Sequence, residues 1–116
     1  MKPLIKHARS FPVTIFIAGS YSKAMKIVQK YCDEVGYCVT VHHTYYIYKD
    51  GKEEGVEVGL INYPRFPAEP KQIIDKAIEI AELLRVGLNQ ESYSIQTPDD
   101  TIWYSYRKGD MIDEWI

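Results

Sequence analysis

A chain of 116 residues suffices for one hydrophobic core and is too short for two, so residues 1–116 read as a single domain. Hydrophobic residues at 46% and charged residues at 26% exclude a disordered or fibrous chain, and a net charge of −2 argues against nonspecific attraction to nucleic acid. No apolar run approaches the roughly 18 residues of a membrane helix, and the opening "MKPLIKHARSFP" has no signal-type apolar centre, so the expected setting is the cytoplasm, with Cys32 and Cys38 as reduced thiols.

After an N-terminal arm over 1–11, "VTIFIAG" (13–19) is β-branched and aromatic, has strand length and stops at a glycine. Ser20 or Ser22 then supplies a helix cap, and Ala24, Ile27, Val28, Tyr31, Cys32 and Val35 form one apolar stripe closed by Gly36, which predicts a helix over about 21–35. From Cys38 to Tyr48 the period becomes two: Val39, Val41, Tyr45 and Ile47 share one face, and Thr40, His42, Thr44, Tyr46 and Tyr48 the other. "KDGKEEG" reads as a turn, and "VEVGLINY" as the second strand of a hairpin, with Val56, Val58 and Leu60 opposite Glu57, Gly59, Ile61 and Tyr63. Pro70 opens a helix over about 70–86, stopped near Gly87. "SYSIQT" and "TIWYSYR" alternate around "PDD", giving a closing hairpin before an acidic tail over 108–116.

The order βαββαββ predicts an α+β, ferredoxin-like antiparallel sheet with both helices on one face. The face left open then carries Phe16, Tyr46, Tyr48, Ile61 and Tyr63 among threonines, too apolar for a purely solvated surface. Self-association through Phe16, Tyr46, Tyr48 and Ile61 is the first expectation, and a tail folding back through Met111, Ile112, Trp115 and Ile116 is the alternative.

Catalytic chemistry is weakly signalled. His42 and His43 point to opposite faces of a strand and cannot share a metal, Cys32, Cys38 and His42 match no zinc spacing, and Glu53 and Glu54 read as a solvated turn. "GSYSK" (19–23) lacks the glycines of a nucleophile elbow or a P-loop, but Ser20, Tyr21, Ser22 and Lys23 at a helix start offer an anion site, with plain capping as the structural alternative. "IFIAGS" partly matches the first strand of RNA-recognition domains, yet "VEVGLINY" lacks their basic and double-aromatic third strand, so RNA is not expected as a partner. No cofactor or metal is expected.

"INYPRFPAEP" (61–70) is the most distinctive stretch. Its prolines would hold Asn62, Tyr63, Arg65 and Phe66 rigidly around a planar, anionic, nucleotide-like ligand. In the structural alternative Phe66 plugs the core and Arg65 is solvated or pairs with Asp99 or Asp100. The ferredoxin-like order puts this loop at the opposite end of the sheet from "GSYSK", so one protomer could not use both on one small ligand.

"CVTV", "GVEVGLINYPRFP" and "SYSIQTPDDTIWYS" together resemble a family of small accessory proteins carried by bacteriophages and prophages, over about residues 35–105. The resemblance carries no catalytic residues. It implies a phage protein, and by analogy an anti-defence sponge that sequesters a nucleotide-derived signal. The function expected is therefore noncatalytic binding, by an oligomer, of a nucleotide-like small molecule. The alternatives are an interaction or inhibitor subunit that meets a host protein through the open face, and a small enzyme acting on such a ligand.

Overall fold

The computed structural model describes residues 1–111. Its elements are β1 (Val13–Ala18), α1 (Tyr21–Val35), β2 (Thr40–Tyr48), β3 (Gly51–Leu60), α2 (Pro70–Gly87), β4 (Ser92–Gln96) and β5 (Thr101–Ser105). The five strands form one sheet in the order β2-β3-β1-β4-β5, every neighbouring pair antiparallel. This is the predicted ferredoxin-like α+β arrangement, extended by one edge strand.

Strand alternation decides the layers. Val13, Ile15 and Ile17 of β1 lie in register with Leu60, Val58 and Val56 of β3, and Ile15 also faces Ile95 of β4. All seven are buried beneath the helices, against Ala24 and Val28 of α1 and Ile73, Ala77, Ile80 and Leu84 of α2. Each helix turns its apolar stripe to the sheet because its residues recur at helical spacing. Ser20 caps α1 by accepting from the Lys23 N–H at 3.3 Å, and Gly36 closes it at φ 75°. Pro70 opens α2, where the Gln72 side chain accepts from the Glu69 N–H at 2.8 Å.

Three boundaries differ from expectation. The β2–β3 turn is only Lys49 and Asp50, since Tyr48 pairs with Gly51 and Asp50 adopts φ 62°. Strand β3 thus runs back through Lys52, Glu53 and Glu54, whose backbone groups pair with β2; side chains there need not be apolar because the hairpin tip is wet on both faces, with Ile47 81% exposed. Strand β2 begins at Thr40 rather than Cys38 because Tyr37 is still part of the helix cap, its N–H bonded to the Cys32 carbonyl. Helix α2 includes Gly87 and ends at Leu88, after which Asn89 takes the left-handed turn at φ 56°.

No helix among the described residues is long and apolar enough to cross a membrane. Of the tail expected to cover the open face, Ile112, Trp115 and Ile116 lie outside the described residues.

Candidate functional site

The open face is built rung by rung. Register carries one row straight across the sheet: His42 of β2, Glu57 of β3, Phe16 of β1, Ser94 of β4 and Trp103 of β5. The adjacent row is small, with Thr44 and Ala18 on either side of Gly55, and Ser92 paired with Ser105. Beyond it Tyr46 pairs with Glu53. Small residues between large ones leave a depression of about 310 Å³, walled by Phe16, Tyr46, Tyr48 and Trp103, with Glu53 and Arg107 along its margins.

Tyr46 is held firmly in this cradle. Its ring lies against Gly55, where an added Cβ would come within 2.3 Å of the ring, and its hydroxyl donates to the Val56 carbonyl at 2.7 Å. Burial, and then the negative charge of Glu57, push the phenol up to about 12, so it stays a neutral donor at physiological pH. Tyr48 donates to Glu53 at 3.2 Å, fixing a carboxylate beside the cavity. Trp103 is 55% exposed, and the Arg107 guanidinium lies 5.8 Å from its ring while keeping a 3.9 Å ion pair with Glu91.

The Ser20–Lys23 stretch is organised differently. The Ser20 hydroxyl is the helix cap and lies 3.1 Å from that of Ser22. Tyr21 stacks on His43 at 4.5 Å, and His43 Nε2 lies 2.7 Å from Glu54. Tyr21 and His43 thus tie helix α1 to the β2–β3 hairpin, while the Lys23 side chain forms no ion pair among the described residues. No group of three His, Cys, Asp or Glu among the described residues could hold a metal ion.

The 61–70 loop leaves the sheet at Leu60 because the Asn62 side chain draws the chain aside: its amide N–H donates to the Arg9 carbonyl and its oxygen accepts from the Ala68 N–H, both at 2.9 Å. The loop encloses a second cavity of about 380 Å³ beside Tyr37 and Cys38, into whose wall Ile61, Tyr63, Arg65 and Phe66 all enter. Ile61 and Tyr63 therefore line this cavity instead of the aromatic patch of the sheet. Phe66 does not plug the core, being 73% exposed, and Arg65 forms no ion pair with Asp99 or Asp100.

The tertiary structure thus joins Phe16, Tyr46 and Tyr48 in one cavity and Asn62, Tyr63, Arg65 and Phe66 in another, on separate walls. Sequence reasoning passed over Glu57, Trp103 and Arg107. Glu57 had a signal: a carboxylate in the middle of the apolar run "VEVGL", on the side shared with Phe16. Trp103 had one too, through its alternation in "TIWYS" and the closing hairpin, but the register that sets it against Ser94 and so in line with Phe16 was not legible.

No protein-family model matches the chain, and no curated protein matches it in sequence. Two solved structures share its fold. A phage SAM lyase in the apo state superposes with a TM-score of 0.60 at 16% identity, over 82% of this chain and 88% of that one. A phage SAM lyase in complex with S-methyl-5′-thioadenosine gives a TM-score of 0.62 at 14% identity, over 89% of this chain and 96% of that one. At such identities the likeness establishes a common fold, spanning nearly the whole length of both neighbours.

Proposed function

We propose that this chain is a phage-type protein that binds a sulfonium nucleoside such as S-adenosylmethionine on its open sheet face and splits it, as a lyase, releasing S-methyl-5′-thioadenosine. The observation that carries this reading is the aromatic-walled cradle with the Glu53 carboxylate in its lining and Glu57 beside Phe16 in the adjoining row, on a fold shared with phage lyases of that substrate. An adenine ring stacks against Trp103 or Tyr46. The aromatic faces, Glu53 and Glu57 draw the sulfonium cation into the cradle, a contribution to binding and not to the bond-breaking step, in which that charge is lost. Arg107, at the margin, offers a guanidinium to the methionine carboxylate.

The chemistry explains why no nucleophile or base stands out in the sequence. A lyase admits no water, so the carbon–sulfur bond breaks with its electron pair passing to sulfur, which becomes a neutral thioether. The substrate's own carboxylate oxygen takes the carbon and closes a lactone ring. Negative carboxylate and positive sulfonium cancel as this proceeds, and an aromatic cavity that replaces water disfavours the separated charges more than the transition state. The protein's task is to fold the substrate into the reactive conformation and keep it dry.

The sequestration reading differs only in turnover, and one experiment separates the two. Purified protein is incubated with S-adenosylmethionine, denatured, and the small molecules are quantified by mass spectrometry. Accumulating S-methyl-5′-thioadenosine, reduced at least about 10-fold in Trp103→Ala and Glu57→Gln, is the expected result. Substrate that is bound but returned intact would replace the lyase with a sponge; no binding at all would sink both. A second copy seated on Phe16, Tyr46 and Tyr48 would close the open side of the cradle, and native mass spectrometry reads that directly.

A further inference from the structure

The cavity under the 61–70 loop has no part in the reading above: it shares no lining residue with the open-face cradle. Its walls are mainly apolar, with Ile73 buried and Ile61, Tyr63 and Phe66 around the loop side, and its volume of about 380 Å³ lies within the range of small-molecule sites. Arg65 is the one charged residue in that wall among the described residues.

The backbone that carries Arg65 and Phe66 is fixed. The Phe66 N–H bonds to the Tyr63 carbonyl at 2.9 Å, closing a turn whose second residue is Pro64, and Asn62 clamps both ends of the segment through Arg9 and Ala68. The guanidinium of Arg65 lies 5.4 Å from the Phe66 ring and has no acidic partner among the described residues, while Phe66 itself is 73% exposed. A rigid turn thus presents an unneutralised planar cation and an open aromatic ring at the rim of an apolar hollow. Leaving that pair in water is unfavourable for the ring, and pre-ordering it lowers the entropy lost when a ligand arrives.

We infer that this cavity is a second ligand site, specific for a planar aromatic molecule bearing one anionic group, the ring lying against Phe66 and Tyr63 and the anion on Arg65. Bidentate pairing of guanidinium with a carboxylate, sulfonate or phosphate supplies the selectivity, and the apolar hollow supplies the bulk of the contact. An uncharged analogue of the same ring fills the hollow without engaging Arg65 and binds more weakly.

The test uses the fluorescent aromatic sulfonate 1-anilinonaphthalene-8-sulfonate, with Cys38 as an independent reporter because its exposed thiol lines the cavity. The dye is expected to bind one site per chain and to slow alkylation of Cys38 by N-ethylmaleimide, located by peptide mass mapping to separate it from Cys32. Arg65→Ala is expected to weaken binding by about 10-fold or more, the usual loss of a charge-assisted contact. Trp103→Ala, on the other face, is expected to leave it unchanged. Both substituted side chains are exposed, so folding is preserved. Adenosine 5′-monophosphate and indole-3-acetate, with adenosine as the uncharged control, then assign the natural source: displacement by the nucleotide points to a nucleotide ligand, displacement by the indole acid alone to an aromatic carboxylate. Dye binding that is unaffected by Arg65→Ala, or that leaves Cys38 fully reactive, overturns the assignment.

Discussion

Gly55→Ala tests how the open-face cradle is made. Gly55 is buried in β3, and a Cβ placed there would sit 2.3 Å from Tyr46 Cε2 and 2.6 Å from the Ile17 carbonyl oxygen. Ordinary contact begins near 3.4 Å, so the Tyr46 ring must retreat by about an ångström and the β1 backbone must give as well. Retreat breaks the 2.7 Å bond from Tyr46 to the Val56 carbonyl, a loss of about 1 kcal/mol, and overpacking adds about 1–3 kcal/mol. Against this stands about 0.5–1 kcal/mol from the lower unfolded-state entropy of alanine. The net expectation is a destabilisation of about 1–3 kcal/mol, read by urea unfolding monitored through tryptophan fluorescence. In a Tyr46→Ala background the cost of Gly55→Ala is expected to shrink, because only the Ile17 carbonyl then remains in the way. The same substitution pushes the ring into the cradle, so under the proposed lyase reading conversion of S-adenosylmethionine is expected to fall with it. A Gly55→Ala protein as stable as its parent, with no coupling to Tyr46, would refute this account of the cavity.

Three further outcomes follow from the same physics. The phenols of Tyr31, Tyr46 and Tyr63 are pushed up to about 12, by burial and Glu79 for Tyr31, burial and Glu57 for Tyr46, and the Cys38 thiol and burial for Tyr63. Unfolding returns each to about 10, so between these values the unfolded chain binds fewer protons and stability falls as pH rises; it is flat with respect to these groups below pH 10. Parallel titrations of tyrosinate absorbance and urea midpoint check this, and a midpoint constant from pH 9 to 12 contradicts it. Asn62→Ala removes both clamps on the loop and is expected to cost about 1–3 kcal/mol and to free the N-terminal arm for proteolysis; a resistant, equally stable variant would mean that the prolines suffice. Leu84→Ala opens a hole between α2 and the sheet, where Leu84 is fully buried, and is expected to cost about 2–5 kcal/mol in the same unfolding assay.

Local signals determined the elements of this protein. The stripe from Ala24 to Val35 with Ser20 before it and Gly36 after it admits one helix, and the alternation in "VTIFIA" and "VEVGL" admits strands with a defined inner face, because side-chain period and capping chemistry act between near neighbours in the chain. Even the layer order followed, since βαββαβ connected by short loops leaves few arrangements. Sites were another matter. Glu57, Phe16, Ser94 and Trp103 stand in one row only because three strand registers align them, which their spacing along the chain does not reveal. Ile61 and Tyr63 continue the strand period on paper, yet two hydrogen bonds from Asn62 to Arg9 and Ala68 turn the chain away and put both residues in the wall of a separate cavity. Periodicity is a property of the local backbone, whereas a cavity forms where small residues from one strand meet large ones from another, and that meeting exists only in the folded sheet.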